Sequence, residues 1–464
     1  MTTQETSRAL NGTFWQSDTP DRPVPGQLTL AGRPALEAIG QIFIESANTV
    51  DLDADGMVRC LRVSGNSDAL VADFEPRNIH GELDDGTLVS VVGAQGRRKI
   101  NNPIDVPYRQ SFRTMRHVIL HEHVDERQRF ESCKFRVVGP QWWQVDDERS
   151  RTSDGGQLAI VDVGGDRWFE FTPTQSLTVS DFDRNVLSPA RTLASLVTDN
   201  PSTTTELHVR RAENSPWRKV HRVERLVPSQ THELLDSRHL SADRFTRWVD
   251  FRRRSDALDA AAIDDHSGAS IQTTVLTLAA VAEGLHRRLF SEGKRVPALS
   301  KSDLRQARRA ARLAAVARIK QLDRSGRSPL TADDIAEFES AMNDSFGFIN
   351  QQTFRSRMLD LANAAAAAVP NIVDSFADWP KAVHAARNTL AHRETRQRDD
   401  STDQFYELTI ALSYSLGWVL RTVLLIEAGF DAETLQRAYR DSSRYTHHIA
   451  NTRTLLAGSD YAAQ

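Results

Sequence analysis

The sequence predicts an α+β protein: an N-terminal antiparallel, β-sandwich-like region followed by a C-terminal all-α helical bundle. Two observations carry that reading. As far as about residue 235, apolar residues come in short or alternating runs broken by Gly, Pro, Asp and Asn, the pattern of half-buried strands joined by turns. From about residue 240 the apolar spacing lengthens to i, i+3, i+4 and stays so, with capping residues ahead of the apolar runs.

The strand candidates, in order, are Gln27 to Leu30, Gln41 to Glu45, Val58 to Val63, Thr87 to Val92, His117 to Val124, Lys134 to Val138, Leu158 to Val163 and Leu207 to Arg210. Gly164 and Gly165 read as a hairpin turn, because paired glycines supply the positive φ that a two-residue turn demands. Many short strands of this kind form a sandwich or a barrel. The polar stretch Asp146 to Gly156 divides the region into residues 1–150 and 151–235, the latter a second β unit or a continuation of the first.

In the helical part, residues 240–464, the run Ile271 to Phe290 sets Val275, Leu278, Ala282, Leu285 and Leu289 on one face. Ser302 to Asp323 is Ala-rich and carries Arg305, Arg308, Arg309, Arg312, Arg318 and Lys320. These cations are either a solvated helix face or a track for an RNA backbone, whose phosphates need only positioned charge. Thr331 to Ser345 opens with Thr331 three residues ahead of Asp334, a capping pattern, and Gln352 to Val369 follows. Ser401 and Gln404 make a second capping box before a long apolar helix to about Glu427, and a last helical pair runs to about Leu456.

Within this series lies the helix Trp379 to Arg393, WPKAVHAARNTLAHR. At about 100° per residue, Trp379, Val383, Ala386 and Leu390 make a narrow apolar stripe, while Lys381, His384, Arg387, Asn388 and His392 share an opposing arc of about 140°. One face packs and the other presents chemistry. Asp378 is the expected N-cap, Pro380 is tolerated in the first turn, and the charged run Glu394 to Asp400 marks the end.

Composition narrows the function. A chain of 464 residues at 39% hydrophobic can build two or three cored domains. A net charge of −4 offers no global field for nucleic acid, so any RNA contact must come from a local basic patch. Two cysteines, Cys60 and Cys133, offer neither a metal motif nor a disulfide framework and suit a reducing cytoplasm. The N-terminus lacks the basic and apolar regions of a signal peptide, and the run Leu408 to Leu420 falls short of the roughly 18 residues a membrane span needs. A cytoplasmic protein without membrane contact, cofactor or metal is the expectation.

The segment Arg387 to His392, RNTLAH, resembles the Arg-x4-6-His signature of the HEPN superfamily, small helical domains many of which are RNA-cutting toxins; the Asn after the Arg fits its commonest version. Arg116 to His121, RHVILH, has the same spacing, but its β-branched content reads as strand, where residues five apart point to opposite faces. The N-terminal half resembles that of the ApeA-type abortive-infection proteins, an anti-phage family with a C-terminal HEPN domain, through Gly12 to Trp15, Val24 to Leu28, Asn78 to Glu82 and Leu187 to Leu193. The resemblance implies a β half that senses a phage-derived trigger or restrains the enzyme, and a helical domain that cuts RNA as a homodimer whose two motif helices share one cleft.

The residue chemistry agrees with that expectation. RNA carries its own nucleophile, the 2′-hydroxyl, so a nuclease needs one group to move a proton and one to hold extra negative charge. His392 titrates in the right range for the first, and Arg387 forks onto phosphate oxygens for the second. Resemblance to HEPN nucleases implies metal independence and products with 2′,3′-cyclic phosphate and 5′-hydroxyl ends. Asn388, one turn before His392, is placed to orient the imidazole or a bound phosphate. Glu283 interrupts an apolar helix, and HEPN families often carry an acid on an early helix near the Arg; it either pairs with Arg387 or is a partly exposed Glu at a helix edge, the simpler reading. His384 and Lys381 share the reactive arc, although any polar helix face needs polar residues.

Other constellations compete. His117, His121 and His123 share one strand parity, a spacing that can bind zinc, but no further ligand accompanies them and an ordinary strand surface is the simpler reading. Trp142 and Trp143 line a ligand pocket or cap the β core, the cap being simpler. Two alternative functions stand beside RNA cleavage: a non-catalytic HEPN module binding RNA or a protein, and a β-sandwich ligand binder with a helical dimerisation domain.

Overall fold

The computed structural model describes residues 9–44, 48–63, 68, 71, 74–99, 108–140, 147–224, 233–255, 269–290, 294–323, 330–347, 349–392 and 402–463. Contacts group residues 1–257, with 427–429, as one unit, and 258–426 with 430–464 as a second. Trp142 and Trp143, the charged run after residue 393 and Ser401 lie outside the described residues.

The first unit opens with β1 (Leu10–Gln16), β2 (Val24–Thr29), β3 (Ala35–Ile39), β4 (Asn48–Leu52), β5 (Val58–Val63), β6 (Arg77–Leu83), β7 (Leu88–Lys99), β8 (Arg109–Thr114) and β9 (His117–Leu120). β4 and β5 form a separate hairpin. The others pair antiparallel in the order β9-β7-β6-β1-β2-β3-β8, and β8 pairs again with β7, so six strands close into a barrel. β7 serves both neighbours by dividing its length: Val89 to Val92 pair with β9, and Gln95 to Lys99 with β8 beyond an irregularity at Gln95 and Gly96. Closure removes the exposed edges of an open sheet.

Alternation fills the barrel with Phe14, Leu28, Leu36, Ala38, Ile79, Val89, Val91 and Phe112. Phe14 lies directly opposite Gly81 on β6, and a methyl at Gly81 would collide with the Phe14 ring. Gly12 leaves no room for a Cβ either, because it would meet the carbonyl oxygen of Glu82.

Two strand expectations need correction. Of Gln41 to Glu45, the described residues 41–44 are not a strand. The Gln110 side chain takes the place of a neighbouring strand: its Oε1 accepts from the amides of Ile42 (2.7 Å) and Phe43 (2.9 Å), and its Nε2 donates to the Phe43 carbonyl (2.8 Å). These bonds seat Ile42 and Phe43 in the core. His117 to Val124 stops being a strand at Leu120, because His121 turns to φ 72°. His117, His121 and His123 therefore do not share a face: His117 is buried, His121 is exposed, and His123 stacks on His80 with centroids 4.4 Å apart.

The same unit continues with β10 (Ser132–Val138), β11 (Glu148–Arg151), β12 (Gln157–Val163) and β13 (Asp166–Thr172). Gly164 (φ 66°) and Gly165 (φ 87°) close the expected hairpin between the last two. Helix α1 (Val179–Phe182) runs through a π turn, Asp183–Leu187, into α2 (Ser188–Thr198); β14 (Thr203–Arg210), β15 (Arg218–His221) and α3 (Ala242–Arg254) follow. The order β11-β12-β13-β10-β14-β15 extends the sheet from β9. Trp248 of α3 donates to the Pro189 carbonyl at 2.9 Å, and Phe245 meets Phe169 of β13 edge-on.

The second unit is helical: α4 (Ile271–Leu289), α5 (Lys301–Asp323), α6 (Ala332–Gly347), α7 (Phe354–Ala368), α8 (Trp379–His392), α9 (Thr402–Glu427), α10 (Ala432–Asp441) and α11 (Ser443–Leu456). Helices α4, α7 and α8 pack on one another, whereas α5 pairs with α6. The Thr331–Asp334 capping box forms as expected. By length and composition α9 is apolar enough to cross a bilayer, but 72% of its most apolar stretch is buried inside the protein. It is a core helix, and its Ser415 accepts the indole N–H of Trp379 at 2.9 Å.

Candidate active site

Helix α8 starts where Asp378 caps it, accepting from the Lys381 amide at 2.8 Å. Trp379, Ala382, Val383 and Ala386 are buried, which turns the opposite arc of the helix outward. Lys381 is exposed; His384, Arg387 and Asn388 are half-buried, and His392 is the last residue of the helix.

Three of the expected residues form a connected set. Arg387 Nη1 donates to Asn388 Oδ1 at 3.3 Å, and Asn388 Nδ2 lies 3.1 Å from His384 Nε2. This amide orientation satisfies both neighbours, since its oxygen faces the cationic donor and its nitrogen faces the ring. It requires Nε2 to accept, so His384 carries its proton on Nδ1. Phe354, the first residue of α7, braces the set: the Arg387 guanidinium lies 5.2 Å from its ring centroid, and the His384 ring lies 6.2 Å from it. Lys381 is outside this network, its backbone amide serving the helix cap.

Glu283 of α4 lies with Oε2 4.0 Å from Arg387 Nη2. Its closer partners are Arg287, one turn along α4 at 2.7 Å, and Arg357 of α7. Arg357 is 7% exposed, so its charge depends on this carboxylate. Glu283 thus ties α4 to α7 and presents its second oxygen towards α8. A parallel tie lies one turn on, where His286 Nε2 meets Asp360 Oδ2 at 2.9 Å and Gln352 donates to the same oxygen at 3.0 Å.

Sequence reasoning missed Phe354, Arg357 and the His286–Asp360 pair. The signal for Arg357 was present: it stands four and eight residues before Leu361 and Ala365, both buried on α7, so it falls on the packed stripe. A groove of about 520 Å³ lies beside the start of α8, lined among others by Arg355, Asn363, Asp374 and Trp379. Arg387, Asn388 and His384 are not in its wall. On α5, Arg312 bonds to Glu339 and Asn343 of α6, while Arg305, Arg309 and Arg318 are exposed.

Residues 276–434 match the family model of the Apea-like HEPN domain. Comparison with curated proteins and with solved structures gives no match. The matched span contains most of α4 and all of α7 and α8, hence every residue of the set described above. HEPN domains are generally RNases, and this one points to an abortive-infection, RNase-type module. The helical part of this chain therefore carries an Apea-like HEPN domain over residues 276–434.

Proposed function

We propose that the HEPN domain cleaves RNA without a metal and that the chain acts in anti-phage abortive infection. The observation that carries this reading is the placement of Arg387: half-exposed, held by Asn388, Phe354 and Glu283, and five residues before His392 on the same helix. A guanidinium fixed from behind keeps donors free for phosphate, which lowers the reorganisation needed as charge develops.

In the proposed reaction His392 of one copy accepts the 2′-hydroxyl proton, the 2′-oxygen attacks phosphorus, and the P–O5′ bond breaks as the 5′-oxygen takes a proton from the imidazolium of His392 in the second copy and leaves as a hydroxyl. The products carry 2′,3′-cyclic phosphate and 5′-hydroxyl ends. Arg387 stabilises the pentacoordinate state; Asn388 and Glu283 position Arg387, and His384 fixes Asn388 in turn. Two copies of the domain would pair their motif helices across a two-fold axis, each supplying one Arg and one His. The first unit would restrain the nuclease until a phage-derived cue shifts the population of states. The proposed location is the cytoplasm, where the exposed Cys60 and the buried Cys133 stay as thiols.

The test is incubation of wild-type protein and the Arg387→Ala, His392→Ala double variant with total cellular RNA in EDTA, followed by mapping of the end groups. Cleavage by wild type alone with cyclic phosphate ends is the expected outcome. Equal cleavage by both proteins would refute the assignment.

A further inference from the structure

The sheet of β11, β12, β13, β10 and β14 has one face buried by Phe135, Phe169, Phe171 and Leu207 and covered by α2 and α3. By strand alternation its other face carries Trp168 and Lys134, with Trp217 just before β15. The Lys134 ammonium lies 5.1 Å from the centroid of Trp168 and 5.0 Å from that of Trp217. The Arg210 guanidinium lies 4.6 Å from the Trp217 centroid. Arg149 and Arg151 stand exposed on the same face, since Glu148 and Ser150 between them bond to α3 on the other side.

Among the described residues, none of these four cations has a carboxylate partner. Lys134 stands opposite Glu170 in the register, yet turns to the indoles instead. The distinction matters because a carboxylate neutralises a cation, whereas an aromatic face holds it in place with its charge intact. Arg136 with Asp166 and Lys219 with Glu206 cancel as pairs, which leaves the four unpaired cations against Glu170. This is a basic and aromatic patch on a chain whose net charge is −4. Burial, with the ammonium groups of Lys134 and Lys219 adding to it, holds the His208 imidazole beside Trp168 below its ordinary value.

We propose that this face binds single-stranded nucleic acid, with phosphates on Lys134, Arg210, Arg149 and Arg151 and bases against the indoles of Trp168 and Trp217. Stacking tolerates any base and fixed cations follow the backbone, so affinity does not depend on sequence. A duplex fits poorly, because its bases are already stacked inside it. A neutral glycan would leave the unpaired cations without a role. The site lies in the barrel-bearing unit, uses none of the HEPN residues and does not rest on cleavage.

The test is fluorescence anisotropy with a labelled single-stranded RNA of about 12 nucleotides, in EDTA, using full-length protein with Arg387→Ala and His392→Ala so that the probe stays intact. Adding Trp168→Ala and Trp217→Ala is expected to weaken binding at least tenfold, and Trp168→Phe with Trp217→Phe to restore most of it. Lys134→Gln with Arg210→Gln, which removes charge without opening the surface, is expected to lower the salt slope by about 1.4, the value for two phosphate contacts on a single strand. Unchanged affinity in both the alanine and the glutamine variants, or equal binding of a duplex, overturns the proposal. Because binding is read in a cleavage-null background, its failure is distinct from failure of the nuclease assignment.

Discussion

Glu283 stands 4.0 Å from Arg387 with one carboxylate oxygen while the other holds Arg287 and Arg357. A single carboxylate therefore compensates a buried cation and sets the field around an exposed one. Glu283→Gln should destabilise the helical unit by about 2 kcal/mol, less than for a fully buried pair because the Glu283 side chain is 23% exposed. Thermal unfolding reads the loss, and Glu283→Gln combined with Arg357→Met should recover most of it. Recovery without a return of RNA cleavage would separate the structural part of Glu283 from its effect on Arg387.

The Arg387 side chain is 39% exposed. Arg387→Ala should change stability by less than about 1 kcal/mol while lowering cleavage about a hundred- to a thousandfold. Arg387→Lys should stay impaired, because an ammonium lacks the fork. A lysine variant with wild-type rates would remove bidentate phosphate contact from the mechanism.

Asn388→Ala takes away the acceptor of Arg387 and the donor to His384 together. Cleavage is expected to fall about tenfold, through kcat rather than KM, with no loss of thermal stability. An effect on KM alone would make Asn388 a substrate contact instead of a positioning residue.

The barrel has a steric requirement where Gly12 and Gly81 approach Glu82 and Phe14. Gly12→Ala and Gly81→Ala should each cost about 3 kcal/mol, seen as a lowered midpoint in the transition of the first unit. Gly32, which has open space around it, is the control for position, although its φ of 68° makes alanine costly for a different reason.

His117 in the first unit and His448 in the second are each held at about 4, chiefly by burial, with Arg222 and Arg116 adding to the shift of His117 and His447 to that of His448. Their folded values lie below the unfolded one, so the unfolded chain takes up protons first as pH falls. The neutral buried rings thus favour folding above about pH 6.5, and that contribution, about 3 kcal/mol per site at full shift, is lost between about pH 6.5 and 4. Thermal midpoints measured across that range should fall, and His117→Gln with His448→Gln should flatten the profile.

The sequence by itself determined the division of the chain into strands and then helices, because side-chain periods of 2.0 and 3.6 are written locally. It determined the Gly164–Gly165 turn, the Thr331–Asp334 cap and the helix α8 with its buried stripe for the same reason: each needs only neighbours within one turn or hairpin. Tertiary structure alone decided what depends on distant residues. The six strands close because β7 divides its length between β9 and β8, and Gln110 replaces a strand that local alternation suggests at Gln41 to Glu45. Arg357, Phe354 and the indole–lysine patch come together from residues tens of positions apart, and no periodicity encodes a contact between separate elements. Local order follows from backbone stereochemistry and side-chain alternation, whereas the surroundings of Arg387 follow from how three helices pack.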